Sequence, residues 1–400
     1  MSSRPRTLLF ISPAWPFSSA SGLAMRAHAL TQALARSYRV CLAVPRSDGT
    51  VPPSALGGNM SKVPRIRAGL QERLQRWLYY HWVPLYQRLY AVPGDWERPN
   101  SVACRNLSKI VSHAQLTQVH VFRQYMTPFA GPFLGKIPCQ LDLDESEART
   151  RRSIAGLARS NGDYRRAGLL EMEAEFYARA EQEWLPRFDR VFVSSEPERR
   201  HLLDRHPGLA VQVLRNSITL PLFSPVRHGG FPLTILYVGN LGYYPNADAI
   251  RYFLCEILPL VQAHMRTELK VNIVGRGASP ALQKTIAREP AAQWRGFVSD
   301  LSSEYWSARL AIVPLRAGGG TRLKILEAFA HRVPVVSTSI GVEGLVARPE
   351  EHLLVGDTAE SFAHCCVRLM QDEDLRRQIV AKAYELVAGS YSAAALRVPD

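Results

Sequence analysis

The sequence predicts an α/β protein made of two doubly wound domains, each a parallel sheet covered by helices, facing each other across a cleft. Short apolar strand patterns alternate with helical patterns from near the N-terminus onward, which is typical of successive βα units. A segment rich in proline and glycine, 222–232, interrupts the alternation, which restarts at Leu233. The length of 400 residues also favours two domains over one. We therefore predict an N-terminal domain over 1–222 and a C-terminal domain over 233–387, with 388–400 crossing back to the first.

The predicted strands and helices follow one another in the order that doubly wound sheets require. In the first half the strands are predicted at 7–12, 40–44, 118–123, 140–144, 190–195 and 211–214, with helices at 23–36, within 145–184 and at 198–203. In the second half the strands are predicted at 233–238, 269–275, 294–298, 310–315, 333–338 and 353–355, with helices at 246–260, 280–288, 300–308, from 321, and over 359–387. Because ligands of such sheets bind outside the carboxyl ends of the strands, we expect the site in the cleft between the domains.

The most informative segment runs from a strand through a glycine loop into a helix. The strand 310–315 is followed by Gly318, Gly319 and Gly320, and helical periodicity begins at Thr321. Glycines allow backbone N–H groups to converge, and the positive end of a helix dipole favours an anion. This order predicts a phosphate-bearing ligand, although an ordinary turn between a strand and a helix would share it.

Two basic residues and one acid follow the glycine loop. Arg322 and Lys324 add mobile positive charge, and Glu327 lies three residues after Lys324, on the same helix face. The whole chain is also basic, with a net charge of +14 and a pI near 9.7. This balance indicates anionic partners such as nucleotides, phosphorylated lipids, a membrane face or nucleic acid, although a basic proteome would produce it too.

Cysteine spacing and hydropathy exclude several classes of protein. None of the 6 cysteines belongs to a CxxC pair or to a cluster with zinc spacing, which favours reduced thiols in the cytoplasm. The N-terminal apolar run is too short for a signal peptide, and no apolar stretch reaches the length of about 18 residues that predicts a membrane span. We expect a cytoplasmic protein.

Arginines and aromatic residues interleave at helical spacing over 66–92. Trp77 and Trp82 would lie in a lipid interface while Arg73 and Arg76 meet phosphates, which makes this stretch a candidate for binding an anionic membrane surface. The same spacing fits a helix pair packed on the domain with its arginines in solvent, and we favour that interpretation. If the stretch does bind a membrane surface, the protein would be peripheral on the inner face of the cell membrane.

Five segments of the second half, taken in order and with their spacing, resemble the GT-B fold glycosyltransferases of the family 4 or group 1 type. They are Leu236–Ile250, Val271–Gly277, Arg295–Leu301, Ala317–Thr338 and Gly341–Leu345. The resemblance is strong over about 233–360. It is weaker over the first half, where Asp189–Glu196 and Val213–Asn216 resemble the strands before the linker. It implies two Rossmann-like domains.

The resemblance also implies a function. A nucleoside diphosphate sugar is the donor substrate, no cofactor is needed, and a hydroxyl of a glycan or lipid-linked acceptor receives the sugar, normally with retention of configuration. The C-terminal domain holds the donor: Glu327 its ribose, Gly239 its diphosphate, and the backbone at Phe297 and Val298 its base. Thr321 and the three glycines before it meet phosphate or sugar. The predicted substrate-binding residues are Gly22, Arg26, Gly239, Asn240, Asn246, Gly275, Arg276, Phe297, Val298, Gly318, Gly319, Gly320, Thr321, Arg322, Lys324 and Glu327.

The chain departs from the family's pattern at several of these positions. Gly319 stands where the family has the first of two paired acids, which contacts the donor sugar, so the sugar is not predicted. Asn240 stands where the family has an arginine, and Asn246 lies near the position of its lysine. We therefore assign the neutralisation of the diphosphate to Arg322 and Lys324. The glycine that ends the family's helix is Arg332 here, and a left-handed conformation at that residue would cost about 1 kcal/mol.

The predicted strand 140–144 ends in two acids on the same side, Asp142 and Asp144. The catalytic histidine that the resemblance implies is not evident at its usual place in the first half. We therefore predict Asp142, Asp144 and Lys324 as catalytic residues, the acids bonding a donor hydroxyl or the acceptor nucleophile. The same acids would suit a metal ion or the cap of the next helix, but GT-B enzymes generally need no metal for chemistry and none is predicted.

The predicted function is hexosyl transfer in the synthesis of a surface polysaccharide or glycoconjugate. Two alternatives stay open: a non-catalytic GT-B scaffold or nucleotide-binding partner protein, and a GT-B-like nucleotide-sugar epimerase. The epimerase should show further acids and histidines around the cleft, which the sequence does not suggest. Nucleic-acid binding would explain the charge but has no supporting motif, so no nucleic-acid partner is predicted.

Overall fold

The computed structural model describes residues 6–16, 21–44, 60–62, 93, 96, 102–111, 115–221 and 233–399. The basic aromatic stretch 66–92 and the predicted linker 222–232 lie outside these described residues. By their internal contacts the residues divide into two units. The first comprises Met1–Ala155, Gly168–Arg215 and Leu396–Asp400, and the second comprises Gly156–Ala167 and Asn216–Ala395.

The first unit is built on a parallel sheet whose described strands run in the order β3-β2-β1-β4-β5-β6-β7. These strands are β1 Thr7–Ile11, β2 Arg39–Ala43, β3 Met60–Lys62, β4 Leu116–Phe122, β5 Cys139–Asp144, β6 Arg190–Val193 and β7 Val211–Val213. The helices are α1 Gly22–Leu34, α2 Val102–Val111, α3 Glu147–Ser160, α4 Tyr164–Trp184 and α5 Glu196–Arg205, with a 3-10 segment at Gln124–Ala130.

The second unit has a parallel sheet in the order β10-β9-β8-β11-β12-β13. Its strands are β8 Leu233–Val238, β9 Leu269–Val274, β10 Ala292–Gly296, β11 Leu310–Val313, β12 Val335–Ser337 and β13 Leu354–Val355. Its helices are α6 Tyr244–Tyr252, α7 Leu258–His264, α8 Pro280–Ala287, α9 Ser302–Ser307, α10 Leu323–Ala330, α11 Ser339–Val342, α12 Ala359–Gln371 and α13 Glu373–Ser390. The strand order 3-2-1-4-5-6 defines a doubly wound Rossmann-like sheet, so the predicted α/β fold class is confirmed.

The apolar runs of the first unit reflect strands that are buried on both faces. On β1, Leu8 and Phe10 belong to one apolar core, together with residues of α1. Leu9 and Ile11 point to the other face and belong to a second core. All four side chains are fully buried. A parallel sheet covered on both faces requires such uninterrupted apolar strands, which is why the sequence predicts it so readily.

Several predicted boundaries are wrong for identifiable reasons. The predicted helix over 359–387 is two helices, because Asp372 ends α12 and caps α13 by accepting a hydrogen bond from the Leu375 N–H. The helix predicted from Thr321 begins at Leu323. The helix predicted over 246–260 contains a π-helical turn between α6 and α7.

Five elements of the described residues were not predicted. They are β3, α2, α11 and the 3-10 segments Gln124–Ala130 and Leu185–Arg187. The strand β3, the helix α11 and the two 3-10 segments are short and carry little periodicity, and Pro128 lies inside the longer 3-10 segment. The helix α2 was missed although its buried residues Ala103, Cys104, Leu107 and Val111 have helical spacing. Among the described residues, no helix is both long and apolar enough to cross a membrane.

Arg332, which follows α10, has a left-handed backbone with φ 56°. The Val333 N–H donates to the Ala328 carbonyl at 2.8 Å, so the helix ends in a Schellman-type turn that usually contains glycine at this position. The Arg332 guanidinium lies 3.6 Å from the centroid of the Tyr384 ring. A cation over an aromatic ring is a favourable contact and offsets part of the backbone strain.

We expect Arg332→Gly to have a higher free energy of unfolding than Arg332→Ala, by about 1 kcal/mol. Both variants lose the contact with Tyr384, but only alanine keeps a Cβ in the left-handed conformation. Urea unfolding of the two variants measures the difference. Equal stabilities would show that the left-handed turn costs nothing here.

Candidate functional site

The predicted residues of the second unit gather at the carboxyl edge of its sheet. Gly239 follows β8, Gly275 follows β9, Phe297 follows β10, and the glycine loop 318–320 follows β11. In the sheet, β8 and β11 are neighbours, and the strand order runs outward from this pair in both directions. This pair is therefore the topological switch point, where open α/β sheets bind ligands.

Two of the loops meet there through glycine backbones. The Gly239 N–H donates to the Val274 carbonyl at 2.9 Å, and the Gly275 N–H donates to the Gly296 carbonyl at 2.7 Å. A Cβ atom on Gly275 would fall inside the van der Waals radius of the Gly239 carbonyl oxygen, and Gly275 has φ 145°. Position 275 therefore requires glycine, because only glycine permits this approach of the loops after β8 and β9.

The Lys324 ammonium, from the first turn of α10, reaches the end of β8. It donates to the Asn246 Oδ1 at 3.0 Å and to the Tyr237 hydroxyl at 3.2 Å, and it lies 4.4 Å from the centroid of the Tyr237 ring. The Asn246 Nδ2 donates to the Asn240 carbonyl at 2.9 Å. A Cβ atom on Gly239 would lie 2.9 Å from the Lys324 Nζ, so glycine makes room for the ammonium.

Two groups of α10 have strongly shifted pKa values. Burial, with a contribution from the Arg322 charge, lowers the pKa of Lys324 to about 7. Burial raises the pKa of Glu327 to about 7, against the hydrogen bond from Tyr305 and the charge of Lys324. Burial also raises the pKa of the Tyr237 phenol, which therefore stays protonated and donates to the Asn246 Oδ1 at 2.9 Å. Because the pKa of Lys324 is near neutrality, an anion placed beside this side chain would favour its charged ammonium form.

The Arg322 guanidinium lies within the glycine loop. Its Nη1 donates to the carbonyl oxygens of Gly319 and Gly320, the latter at 2.7 Å. Gly318 and Gly320 have φ 134° and 68°, which gives the loop its shape. Arg322 is 9% exposed, yet its Nη2 is buried without a hydrogen-bond partner among the described residues, and so is the Thr321 Oγ1. Buried donors without a partner are rare in folded proteins, which marks this loop as a candidate binding site.

Glu327 lies one turn along α10, beside a residue that the sequence did not single out. The Tyr305 hydroxyl lies 3.4 Å from the Glu327 Oε2 and 3.4 Å from the Lys324 carbonyl. The Tyr305 ring is buried and stacks on His331 with 4.7 Å between the ring centroids. The buried Tyr305 therefore orients the carboxylate of Glu327 through its hydroxyl group.

The remaining predicted residues of this unit lie at the rim of the site. Phe297 is 57% exposed, and Val298 beside it is half-buried. Both were predicted within a strand but follow the end of β10. Arg276 is exposed and its carbonyl accepts from the Leu241 N–H at 2.8 Å. Asn240 is also exposed, and its Oδ1 accepts from a neighbouring backbone N–H at 3.0 Å.

Sequence reasoning missed the ion pair that leads into the glycine loop. The Arg316 Nε and Nη2 donate to the two Asp248 oxygens at 2.9 and 2.7 Å, and the Asp248 side chain is fully buried. Asn161, in a segment that groups with the second unit, also donates to Asp248 at 2.8 Å. The residues that bond Asp248 come from distant parts of the chain, so no local sequence pattern marks the Arg316–Asp248 pair.

In the first unit, Asp142 and Arg26 are paired and buried. The Arg26 Nε and Nη2 donate to the Asp142 Oδ2 and Oδ1 at 3.0 and 2.8 Å, and the two residues are 3% and 0% exposed. Arg26 also donates to the Leu214 carbonyl at 3.0 Å. Burial raises the pKa of Asp142, and the Arg26 charge opposes the rise. Both oxygens of Asp142 are therefore occupied by Arg26, while Gly22 is exposed at the start of α1.

Asp144 is the more accessible of the two acids and has an unusual backbone. It has φ 66°, and Arg123, at the end of β4, has φ 76°. The Arg123 Nη1 donates to the Asp144 Oδ2 at 3.0 Å, and its Nη2 donates to Glu145 at 3.0 Å and to Glu147 at 2.6 Å. The Asp144 side chain is 15% exposed. Left-handed residues other than glycine are strained and concentrate at functional sites, which favours Asp144 over Asp142 as a group that meets a ligand.

We expect Asp142→Asn to lower the free energy of unfolding by about 3 kcal/mol, because it removes the carboxylate that both Arg26 nitrogens bond and leaves the buried Arg26 charge with only the Asp144 Oδ1, at 3.6 Å. Asp144→Asn should cost about 1 kcal/mol or less, because asparagine tolerates a left-handed backbone and still accepts from Arg123. Urea unfolding of both variants tests this difference. Similar losses for the two would contradict the structural role of Asp142.

Comparison with protein families identifies the second unit. Residues 232–372 match the family model described as glycosyl transferases group 1. This match includes the whole carboxyl edge with the glycine loop, Lys324 and Glu327.

Two curated proteins are similar over shorter stretches. An uncharacterized 44.6 kDa protein in the cps region of Klebsiella pneumoniae is 26% identical over 182 residues, which is 43% of this chain and 47% of that protein. An exopolysaccharide phosphotransferase of Streptomyces coelicolor is 39% identical over 88 residues, which is 21% of this chain and 9% of that protein. The chain therefore spans less than half the length of either relative in these matches.

Solved structures share the fold over nearly the whole chain. Sucrose-phosphate synthase from Thermosynechococcus elongatus superposes with a TM-score of 0.72 at 16% identity, covering 98% of this chain and 96% of that one. Anabaena HepE, solved with UDP and glucose, has a TM-score of 0.63 at 12% identity and covers 97% of this chain and 96% of its own. At these levels of sequence identity, both structural similarities show a shared fold only.

Proposed function

Because the chain has the GT-B glycosyltransferase fold and a group 1 glycosyl transferase domain over 232–372, we propose that it transfers a hexosyl group from a nucleoside diphosphate sugar to a hydroxyl of a glycan or lipid-linked acceptor. Anomeric configuration is retained, and the product belongs to a surface polysaccharide or glycoconjugate. The position of the Klebsiella relative in a cps region supports the pathway. The protein works in the cytoplasm.

One observation carries the proposal: a half-buried ammonium and a buried guanidinium with an unpaired N–H converge at the switch point of the sheet. Lys324 is held beside Gly239 by Asn246, and Arg322 is held within the glycine loop. A leaving diphosphate gains negative charge as the glycosidic bond breaks. Fixed donors and cations aimed at that charge stabilise the transition state more than the ground state.

The rest of the carboxyl edge supplies the contacts that a nucleotide needs. Gly239 leaves room for the Lys324 ammonium, and Gly275 lets the loop after β9 approach Gly239, so these two glycines shape the edge at which the diphosphate would bind. Glu327, fixed by Tyr305, accepts from the ribose hydroxyls. The exposed Phe297, with Val298, lies where the base is expected.

The acceptor is assigned to the first unit. There Asp144 would bond the acceptor nucleophile, since its carboxylate is partly exposed and is oriented by Arg123. Asp142 then has an indirect role: it holds the Arg26 side chain in position.

A thermal-shift series with nucleoside diphosphates and their sugars tests the proposal. A ligand present at 100 times its dissociation constant stabilises the native state by about 2.7 kcal/mol, which raises Tm measurably. Uridine nucleotides are the first probes, because HepE was solved with UDP and glucose. No Tm shift with any nucleoside diphosphate would refute the function.

A product assay separates the alternatives that share this site. Transfer of sugar to a glycan or lipid-linked acceptor, with nucleotide release, supports the transferase. Binding of nucleotide without transfer or hydrolysis supports the non-catalytic partner protein. Interconversion of the donor into its epimer supports the epimerase.

We expect the protein to take up a proton when it binds a nucleoside diphosphate at pH 8. Lys324, with a pKa of about 7, is mostly neutral at pH 8, and a bound diphosphate favours its ammonium form. Calorimetry in buffers of different ionisation enthalpy measures the uptake, which should approach one proton per site. The second phosphate ionisation has a pKa of about 6, so the ligand itself is fully charged at pH 8. Lys324→Arg, whose side chain is always charged, should abolish the uptake; its persistence would assign the proton to another group.

A further inference from the structure

A short helix hairpin, Gly156–Ala167, groups with the second unit, although the stretches of chain on both sides of it group with the first. It is formed by the C-terminal end of α3 and the N-terminal end of α4. A Schellman turn fixes its tip: the Asp163 N–H donates to the Ala158 carbonyl at 2.8 Å, and Gly162 has φ 78°. The half-buried Asn161 at this tip therefore has a defined backbone.

Both polar atoms of the Asn161 side chain contact the rest of the second unit. Its Nδ2 donates to the Asp248 Oδ1 at 2.8 Å and to the Tyr244 hydroxyl at 3.0 Å. Its Oδ1 accepts from the Arg316 Nη2 at 3.2 Å. The Arg166 guanidinium, from the same hairpin, lies 4.4 Å from the centroid of the Tyr244 ring. The hairpin tip is thus bonded both to α6 and to the residue that leads into the glycine loop.

Arg316 is the root of the glycine loop, since one residue separates it from Gly318. The buried carboxylate of Asp248 holds the Arg316 side chain through two hydrogen bonds. The main chain is held as well, because the Leu315 carbonyl accepts from the Thr338 Oγ1 at 2.5 Å. The position of the glycine loop therefore depends on contacts made at its root.

The helix α6 connects the same hairpin tip to Lys324. Asn246 and Asp248 lie two residues apart on α6. Asn246 accepts from the Lys324 ammonium at 3.0 Å, whereas Asp248 accepts from Asn161 and Arg316. Binding groups act at full strength only when their neighbours hold them within about 0.5 Å of the productive position. The hairpin tip contacts both elements that need such support, α6 and the root of the loop.

We propose that Asn161 is a positioning residue for the donor: it ties α6 to the root of the glycine loop, so that Lys324 and the loop receive the diphosphate in one fixed arrangement. Asn161 acts through Asp248 and Arg316 and not by contact with the ligand. The inference rests on the proposed function, since it concerns the site that binds the diphosphate.

Titration calorimetry of Asn161→Ala with UDP tests the proposal, and GDP replaces UDP if guanosine is the base that binds. We expect affinity to fall about tenfold, because the loop and α6 lose their common support. Urea unfolding measures stability separately, since a purely structural role would lower the free energy of unfolding without changing the affinity of the folded protein. Ser160→Ala is the matched control: Ser160 is exposed beside Asn161, and its Oγ donates to the Leu157 carbonyl within the same hairpin segment of α3 at 2.9 Å. Its affinity should stay within about twofold of the unchanged protein.

A double-mutant cycle tests whether Asn161 acts through Arg316. Once Arg316→Met has broken the tie, adding Asn161→Ala should lower the affinity by less than about twofold further. Asp248 keeps a cationic partner in this background, because the Arg251 Nη2 donates to its Oδ1 at 2.7 Å. If Arg316→Met does not fold, Asn161→Ala and Ser160→Ala still decide the proposal.

The outcomes separate this inference from the function on which it rests. An Asn161→Ala protein that binds UDP as tightly as the unchanged protein overturns the inference and leaves the transferase intact. An equal loss in Ser160→Ala, or fully additive losses in the cycle, also overturns it, because the effect would then not pass through the tie to Arg316. If the unchanged protein binds no nucleoside diphosphate, the proposed function fails and the inference fails with it.

Discussion

Lys324→Met is expected to weaken binding of a nucleoside diphosphate about 100-fold, equivalent to roughly 3 kcal/mol for one lost charged donor. Methionine has nearly the same length and shape, so the change removes the charge and the hydrogen bonds to Asn246 and Tyr237. Titration calorimetry with UDP measures the affinity. Turnover should fall at least as far, because the charge on the leaving diphosphate increases in the transition state.

The matched control is Lys284→Met, at an exposed lysine on α8. It removes one positive charge from the same unit without touching the carboxyl edge of the sheet, so its affinity should stay within about twofold of the unchanged protein, as exposed charges contribute little. If Lys284→Met and Lys324→Met lose affinity equally, the effect comes from net charge and not from the position of Lys324.

Gly275→Ala is expected to lower the free energy of unfolding by about 4 kcal/mol, combining overpacking against backbone with strain at a positive φ. Its Cβ would overlap the Gly239 carbonyl oxygen, and backbone atoms cannot turn away as a side chain can. The loop after β8 must therefore shift, which would also displace Asn246 and Lys324. Urea unfolding measures the stability, and calorimetry with UDP measures the accompanying loss of affinity.

Gly156→Ala gives the matched comparison for this change. Gly156 lies within α3, and nothing would lie within 4 Å of a Cβ atom there. Alanine is the better helix former, so this variant should be more stable by about 0.5–1 kcal/mol. A Gly275→Ala protein as stable as Gly156→Ala would contradict the close approach of the two loops.

The sequence was informative where a physical requirement is local. Buried parallel strands need unbroken apolar runs, and loops that pass close to one another need glycine, so β8, β9 and the glycine loop were placed within a few residues. It was less informative about how each charged side chain is used. Asp142 and Asp144 look alike in the strand pattern, yet one is buried on Arg26 and the other is partly exposed beside Arg123.

Those differences arise from contacts between residues far apart in the chain. Arg26 and Asp142 are separated by 116 residues, and Lys324 and Tyr237 by 87. Neither separation leaves a period or a spacing in the sequence. Tyr305 and Asp248 were missed for the same reason, since each is recognisable only by its contact in the folded protein, with Glu327 and Arg316 respectively.

By itself, the sequence determined the α/β class, the order of strands and helices in the second unit, and the glycine loop with Arg322, Lys324 and Glu327 after it. Only the tertiary structure decided what those charges do. Burial brings the pKa of Lys324 to about 7, and the folded loop leaves the Arg322 Nη2 unpaired. The physical reason is that hydrophobic periodicity is written along the chain, whereas desolvation and hydrogen bonding depend on which distant residues meet in the folded protein.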